Sequence, residues 1–118
     1  MFRITKEFAF SASHQLCQLP ADHQCARLHG HNYIVVVELV AAELNAFGFV
    51  RDYHELAPFK RYIDEHFDHR HLNEVLGHDT VTAEHLARHF HDWCASRWPE
   101  TVAVRVSETP KTWAEFRP

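Results

Sequence analysis

The stretch "HQCARLHGHNYIVVVELV", residues 23–40, decides the fold of this chain, because its second half is the clearest strand signal in the sequence. Val, Ile and Leu dominate residues 33–40, and β-branched residues favour extended backbone. The pattern predicts a long strand from His29 to about Leu44. A cysteine and two histidines, the latter separated by one glycine, stand at the start of that strand and call for a chemical explanation.

Alternating apolar residues predict further strands before and after this one. From residue 2 to residue 14 the apolar side chains fall mainly on even positions, with Lys6 interrupting the row and His14 ending it. "TVAVRVSE", residues 101–108, alternates in the same way, and "KTWAEF", residues 111–116, supplies a short last strand. Two strands are therefore expected at each end of the chain.

Helical spacing occupies the middle of the sequence. "HELAPFKRYIDEHF", residues 54–67, predicts a helix from about 55 to 67, with Pro58 in its first turn. A second helix is expected to begin with Thr82 as its N-cap and to stop before Pro99. The order of elements predicts one α+β domain over residues 1–118, in which a four-stranded antiparallel sheet carries two helices on one face.

Composition excludes several classes of function. The net charge of −4 argues against a nucleic-acid-binding protein, which would carry a basic surface. The N-terminal residues lack the apolar run of a signal peptide, and no segment is apolar for long enough to cross a bilayer. A cytoplasmic protein is therefore expected. Three cysteines, an odd number, favour free thiols over a disulfide framework.

The histidines at the start of the central strand indicate a metal site. Side chains two positions apart in a strand point the same way, so His29 and His31 can bind one ion together. His14, at the end of the neighbouring strand, is the candidate for a third ligand, and three protein ligands with one open position are typical of catalytic Zn²⁺. Spacing leaves Cys25 open: it could be a fourth ligand, a base or nucleophile, or a small buried hydrophobe.

Two acidic groups are further candidates. Asp68 precedes His69, and a carboxylate beside an imidazole can fix its tautomer and raise its basicity. Glu108 continues the face of Val104 and Val106, so it lies either at a solvated strand end or in a buried position where it needs hydrogen-bond donors. Surface histidines are the plain alternative for much of the set, since the chain holds twelve of them.

With these residues in view, the sequence resembles the 6-pyruvoyl-tetrahydropterin synthase superfamily, and within it the 6-carboxy-tetrahydropterin synthase branch. The resemblance runs over nearly the whole chain. The three residues between Cys25 and His29 are typical of the carboxy branch, because the pyruvoyl enzymes usually have a longer gap there. The motifs that carry it are "FAFSASHQL" at 8–16, "CARLHGHNY" at 25–33, "GFVRDYHEL" at 48–56, "DHRHLN" at 68–73, "TAEHLA" at 82–87 and "SET" at 107–109.

The resemblance implies a role for each candidate residue. The zinc ligands would be His14, His29 and His31, and Cys25 would be the general base. Asp68 and His69 would form a proton relay, while Glu108 would anchor the 2-amino-4-oxo edge of a pterin and Thr82 would line the pterin pocket. Arg27 and Lys111 are the cationic candidates for contact with the triphosphate.

The resemblance also implies a fold and an assembly. Its members adopt the tunnelling fold, a four-stranded antiparallel sheet with two helices between the second and third strands, and form homohexamers from two trimers with sites at subunit interfaces. Phe116 and His85 depart from the residues that relatives often carry, Tyr and Asn respectively.

The activity implied is the zinc-dependent conversion of 7,8-dihydroneopterin triphosphate to 6-carboxy-5,6,7,8-tetrahydropterin, with release of acetaldehyde and triphosphate, as in queuosine biosynthesis. One alternative is the pyruvoyl enzyme, which acts on the same substrate and keeps all three side-chain carbons. The other is a non-catalytic zinc-binding protein, suggested by the histidine content.

Overall fold

A computed structural model describes all 118 residues, which form one sheet with helices packed against it. The strands are β1 (Phe2–His14), β2 (His29–Ala41), β3 (Arg70–His71), β4 (Thr101–Thr109) and β5 (Thr112–Phe116). The α-helices are α1 (Ala57–His66), α2 (Leu72–Leu76) and α3 (Ala83–Ala95), and short 3₁₀ turns occupy Gln24–Ala26 and Tyr53–Leu56. No helix is long and apolar enough to span a membrane.

The α+β class and the four main antiparallel strands are confirmed, and the sheet gains a short fifth strand. Its order is β3-β1-β2-β4-β5, and β3 pairs in parallel with β1 through two residues only. Both β3 and α2 lie within residues 68–79, between the two helices that the sequence predicts. Elements of two and five residues are too short to show a periodicity, so the pattern could not reveal them.

Helix and strand ends differ from the expectation by a few residues. β2 ends at Ala41 rather than near Leu44. The helix expected from about residue 55 begins at Ala57, because the preceding turn is 3₁₀ and the helix carries its proline in the first turn. α3 has Thr82 as its N-cap, as expected.

The register of β1 against β2 is unbroken along thirteen residues of each strand. Phe2 lies opposite Ala41 at one end of the ladder, and His14 lies opposite His29 at the other. Even positions of β1 and odd positions of β2 therefore share one face. The histidine row of the sequence ends up at one end of the sheet, on the face that carries the helices.

The helices and this face of the sheet enclose the core, a cluster of 22 buried residues. Phe10 of β1 stacks on Tyr33 of β2, with ring centroids 4.9 Å apart, and contacts Phe90 of α3 edge-on at 6.0 Å. Each large side chain buried in this way contributes about 1.5–3 kcal/mol. The core therefore fixes the strand ends that carry the histidines.

The opposite face of the sheet holds a buried carboxylate. Glu38 of β2 is only 6% exposed. It accepts a hydrogen bond from Arg3 of β1 and pairs with Arg117, which follows β5, at 2.7 Å. Burial pushes the pKa of Glu38 up, but the hydrogen bonds from the two arginines outweigh it and the net shift is downward. The ion pairs join the first strand to the C-terminal residues across β2.

The outer edge of β1 is mostly open. β3 covers this edge only at Ala12 and Ser13. Residues 2–10 of β1 therefore have a strand partner on one side alone, that of β2.

Candidate metal centre and active site

Three histidines converge at the end of the sheet where β1 finishes and β2 begins. His14 is the last residue of β1, and His29 and His31 open β2. One ring nitrogen from each lies within 4.8 Å of the others. The antiparallel register produces this arrangement, because it sets His14 opposite His29 and places His31 two residues further along on the same face.

Main-chain carbonyls fix the tautomers of two of these rings. Nδ1 of His14 donates to the Val81 carbonyl at 2.7 Å, and Nδ1 of His29 donates to the Arg27 carbonyl at 2.6 Å. A carbonyl only accepts, so both protons sit on Nδ1 and both Nε2 atoms of the neutral rings present a lone pair. These two Nε2 atoms are 2.8 Å apart. Two facing lone pairs repel each other unless a cation lies between them.

The third ring leaves an unsatisfied atom at the same place. Nε2 of His31 is buried and has no hydrogen-bond partner. A buried polar nitrogen without a partner is costly, and a metal ion removes that cost. The three residues therefore fit a metal ion, with zinc as a suitable ion for imidazole ligands.

Burial favours the neutral form of two of these imidazoles, His14 and His31. Removal from water lowers the pKa of His14 and of His31, although the nearby Glu108 carboxylate opposes the shift in both. Neutral imidazole is the form that binds a metal. The site is thus biased toward its ligating state.

Glu108 lies beside the triad. Its Oε2 atom is 3.8 Å from Nε2 of His31, and 26% of its side chain is exposed. The side chain also lines a cavity of about 480 Å³ between the start of α3 and strands β4 and β5. Glu108 therefore occupies a half-buried position at the rim, where a ligand can reach it.

Asp68 and His69 form a second group. Oδ2 of Asp68 is 2.9 Å from Nδ1 of His69, and Oδ1 of Asp68 accepts the Ser11 N–H at 2.9 Å. The Ser11 bond, followed by the bond from His69, lowers the pKa of Asp68. The His69 side chain is 82% exposed. Its backbone has φ of 58°, a left-handed conformation that is uncommon outside glycine and that clusters at functional sites.

A cavity lies beside the Asp68–His69 pair. No hydrogen bond or ion pair joins the Asp68–His69 pair to the triad, but His31 and His69 both line one cavity of about 500 Å³. Ser13 and Arg70 also line it. Most of its lining, including Ser13, Gly30 and Asn32, lies on the sheet face opposite to the triad, and Nε2 of His31 is buried. The cavity therefore gives a ligand access to His69 rather than to the ring nitrogens of the triad.

Cys25 and Thr82 stand apart from these contacts. Cys25 is a half-buried free thiol in the turn before β2; its N–H donates to Nδ1 of His23 at 3.0 Å and its carbonyl accepts from Leu16 at 3.1 Å. The Thr82 hydroxyl accepts the His85 N–H at 3.2 Å and caps α3. Thr82 directly follows Val81, whose carbonyl holds His14.

Two contributors to the site were missed by the sequence analysis. The Val81 carbonyl has no sequence signal, because any residue type supplies a main-chain oxygen. Asn73 makes two hydrogen bonds to the main chain of Gln15, the residue after His14. The sequence signal for Asn73 was its place at the end of "DHRHLN", where a polar amide directly follows the buried Leu72.

Comparison with known sequences gives consistent matches. The family model described as 6-pyruvoyl tetrahydropterin synthase matches residues 3–118. A protein of Archaeoglobus fulgidus named putative 6-carboxy-5,6,7,8-tetrahydropterin synthase is 31% identical over 109 residues, which are 92% of this chain and 90% of the relative. The 6-carboxy-5,6,7,8-tetrahydropterin synthase of Bacillus subtilis is 30% identical over 129 residues, covering 99% and 86%.

Solved structures share the fold. Caenorhabditis elegans 6-pyruvoyl tetrahydropterin synthase superposes with a TM-score of 0.86 at 25% identity, over 99% of this chain and 95% of that one. An uncharacterized protein from Wolinella succinogenes has the same TM-score, 0.86, at 24% identity, over 98% and 97%. The second likeness concerns the fold alone.

Proposed function

Because this chain belongs to the 6-pyruvoyl tetrahydropterin synthase family, we propose that it is a zinc-dependent lyase of the 6-carboxy-tetrahydropterin synthase type. Its substrate is 7,8-dihydroneopterin triphosphate, and its products are 6-carboxy-5,6,7,8-tetrahydropterin, acetaldehyde and triphosphate, as in queuosine biosynthesis. The observation that carries the proposal is the triad, whose converging lone pairs and orphaned Nε2 atom call for a cation. The names of the two relatives above support the carboxy product.

The chemistry needs a Lewis acid next to proton-transfer groups. Zn²⁺ held by His14, His29 and His31 supplies a positive charge that lowers the pKa of nearby hydroxyl groups and stabilises negative charge on oxygen. Glu108, beside the triad, accepts hydrogen bonds from the 2-amino-4-oxo edge of the pterin and so sets its orientation. Thr82 lines the pterin pocket at the start of α3.

Proton transfer falls to the remaining candidates. Cys25, as the thiolate, removes a carbon-bound proton from the substrate side chain. His69 moves protons to and from the side chain and the ring. Asp68 supports it from Nδ1, since the 2.9 Å contact leaves the other ring nitrogen of His69 available for proton transfer.

We further propose that the protein acts in the cytoplasm as a homohexamer of two trimers, each chain contributing one catalytic domain. The exposure of His69 and the open edge of β1 are compatible with sites that a neighbouring copy completes. Sedimentation at micromolar concentration measures the assembly directly.

Product analysis tests the proposed function. Zinc-loaded protein is incubated with 7,8-dihydroneopterin triphosphate, and products are identified by mass and by acetaldehyde release, with His31→Ala as the metal-site control. Acetaldehyde with a carboxy-pterin is the expected result. A pyruvoyl-pterin would assign the other branch of the family. Zinc binding without turnover would favour a binding protein, which should also take up several ions per chain.

A further inference from the structure

The side chain of Asn73 makes an unusual pair of contacts with the main chain of Gln15. Its Oδ1 accepts the Gln15 N–H at 3.0 Å, and its Nδ2 donates to the Gln15 carbonyl at 2.7 Å. A side-chain amide carries the same donor and acceptor as a peptide group. Asn73 therefore satisfies both main-chain groups of Gln15 on the outer edge of β1.

The contacts of Asn73 continue the pairing of β3 with β1 beyond the residue at which β3 ends. β3 pairs with β1 up to His71, which lies opposite Ser13. The chain then turns into α2 at Leu72, so no main chain remains to pair with the next position on that edge, Gln15. The amide of Asn73 takes the place of the missing strand residue.

Gln15, which Asn73 holds, is next in the chain to His14, a proposed metal ligand. His14 precedes Gln15, and the chain beyond Gln15 leaves the sheet as a loop. The Val81 carbonyl holds the His14 ring, but the direction of Nε2 also depends on the backbone that carries the ring. With Asn73 in place, β1 is fixed on both sides of His14, at Ser13 by β3 and at Gln15 by the amide.

The segment that contains Asn73 also hydrogen-bonds to β1 at Ser11. Ser11 donates its N–H to Asp68 and accepts at its carbonyl from the His69 N–H at 2.6 Å. Residues 68–73 therefore hold β1 at Ser11, where the proposed relay lies, and hold Gln15 directly after β1, beside the proposed metal ligand. One short stretch of strand sets the spacing between the two groups.

We propose that Asn73 is a positioning residue for the metal centre, which orients His14 by clamping both main-chain groups of Gln15. The role rests on the proposed metal site. It is a role in geometry rather than in bulk packing, because Leu72 beside it supplies the buried apolar surface while Asn73 is half-buried and polar. Groups that orient metal ligands in this way typically change metal affinity 10- to 100-fold when removed.

The test measures metal binding rather than turnover. Asn73→Ala removes both contacts, and Asn73→Asp keeps the acceptor but sets a carboxylate oxygen against the Gln15 carbonyl. Asn45→Ala is the matched control, since the Asn45 side chain accepts the N–H groups of Phe47 and Phe49, both at 3.0 Å, in the loop after β2. Zn²⁺ affinity is measured by chelator competition, Co²⁺ geometry by visible absorption, and folding by thermal unfolding of the metal-free proteins.

Both Asn73 variants should bind Zn²⁺ about 10- to 100-fold more weakly, with an altered Co²⁺ spectrum, while Asn45→Ala retains wild-type affinity and spectrum. Wild-type affinity and spectrum in Asn73→Ala would overturn the proposal, and so would an equal loss in Asn45→Ala. Failure of the metal centre itself gives a different result: wild-type protein would then bind Zn²⁺ no better than His31→Ala. An Asn73→Ala protein that does not fold leaves Asn73→Asp to decide by the same readouts.

Discussion

At the scale of single residues, the candidate site depends on main-chain oxygens that orient imidazole rings. The Val81 and Arg27 carbonyls each take the Nδ1 proton of one histidine and leave Nε2 free. Because the rings are held before any ion arrives, little conformational entropy is lost when one binds.

Replacement of Cys25 should separate catalysis from metal binding. Cys25 makes no hydrogen bond to the three histidines and lies outside their cluster, so Cys25→Ala should keep the zinc stoichiometry of the wild type. Loss of the proposed base should lower kcat by about 10²- to 10⁴-fold. Cys17→Ala is the control, since Cys17 is an exposed free thiol outside the site. Turnover at the wild-type rate in Cys25→Ala would exclude the role of base.

The hydroxyl of Tyr33 is buried without a hydrogen-bond partner, and burial raises its pKa. Tyr33→Phe removes that unsatisfied group and keeps the ring that stacks on Phe10. We therefore expect the free energy of unfolding to stay the same or to rise by about 1–3 kcal/mol. Tyr62→Phe is the matched control, because the Tyr62 hydroxyl bonds Nε2 of His89 at 2.7 Å and its loss should destabilise by about 1 kcal/mol. Urea denaturation measures both, and a clear loss in Tyr33→Phe would show that the hydroxyl has a partner in solution.

At the scale of secondary-structure elements, the start of α3 serves the fold and the site together. Thr82 caps the helix, and the residue before it supplies the carbonyl that holds His14. The cap was visible in the sequence because Thr followed by Glu at the second helical position is a common helix start. The role of the Val81 carbonyl was not visible, because every residue type carries the same main-chain oxygen.

Loss of the Thr82 cap should therefore cost stability. Thr82→Ala leaves the His85 N–H without its side-chain acceptor, and the expected loss is about 1 kcal/mol, or roughly 4–8 °C in Tm for a domain near this size. Thr82→Ser should restore it. Thr80→Ala should change stability by less than about 0.5 kcal/mol, because the Thr80 hydroxyl contacts only the exposed His78. Equal thermal midpoints for Thr82→Ala and the wild type would contradict the cap.

The predictability of the elements followed their length and periodicity. β1 was placed with both ends correct, and the rows that it shares with β2 predicted that His14, His29 and His31 meet. β3 and α2 were missed, and with them the contacts of Asn73 with Gln15. The contact between Asp68 and His69 was only a possibility in the sequence, because adjacent side chains need not touch. The left-handed backbone of His69 had no signal in the sequence either.

At the scale of the whole molecule, the site combines distant parts of the chain: the first two strands, the segment before α2, the start of α3 and the end of β4. Such a site depends on global folding, since no single element holds its parts together. The titration of its buried histidines should accordingly appear in the stability of the whole protein.

The metal-free protein should lose stability as the pH falls below about 6.5. Burial holds the pKa of His14 and His31 below the value of 6.5 that they have when exposed. Between the folded and unfolded pKa values the unfolded chain binds protons that the folded chain does not, so each group costs up to about 1.4 kcal/mol per pH unit in that window. Above pH 6.5 both histidines are neutral in the folded and the unfolded chain, so this loss of stability is absent there.

Urea denaturation between pH 7.5 and 5, after chelation of metal, measures this dependence. His89, whose pKa is also lowered by burial, contributes in the same direction. The double variant His14→Gln, His31→Gln should show a shallower fall than the wild type. A stability that rises as the pH falls through this window would contradict the neutral state of the buried rings.

Amide hydrogen exchange along the open edge of β1 can show whether another copy of the chain pairs with this strand. Ser11 and Gln15 direct their N–H groups to the outer edge, and the strand repeats every two residues, so the amides of Arg3, Thr5, Glu7 and Ala9 point there as well. β3 reaches this edge only at Ala12 and Ser13, and none of these four amides is bonded to a group outside the strand ladder. In an isolated chain they should exchange their hydrogens with deuterated solvent rapidly, while the alternate amides, bonded to β2, exchange slowly. Equal protection of both sets would reveal that a strand from another copy lies along this edge.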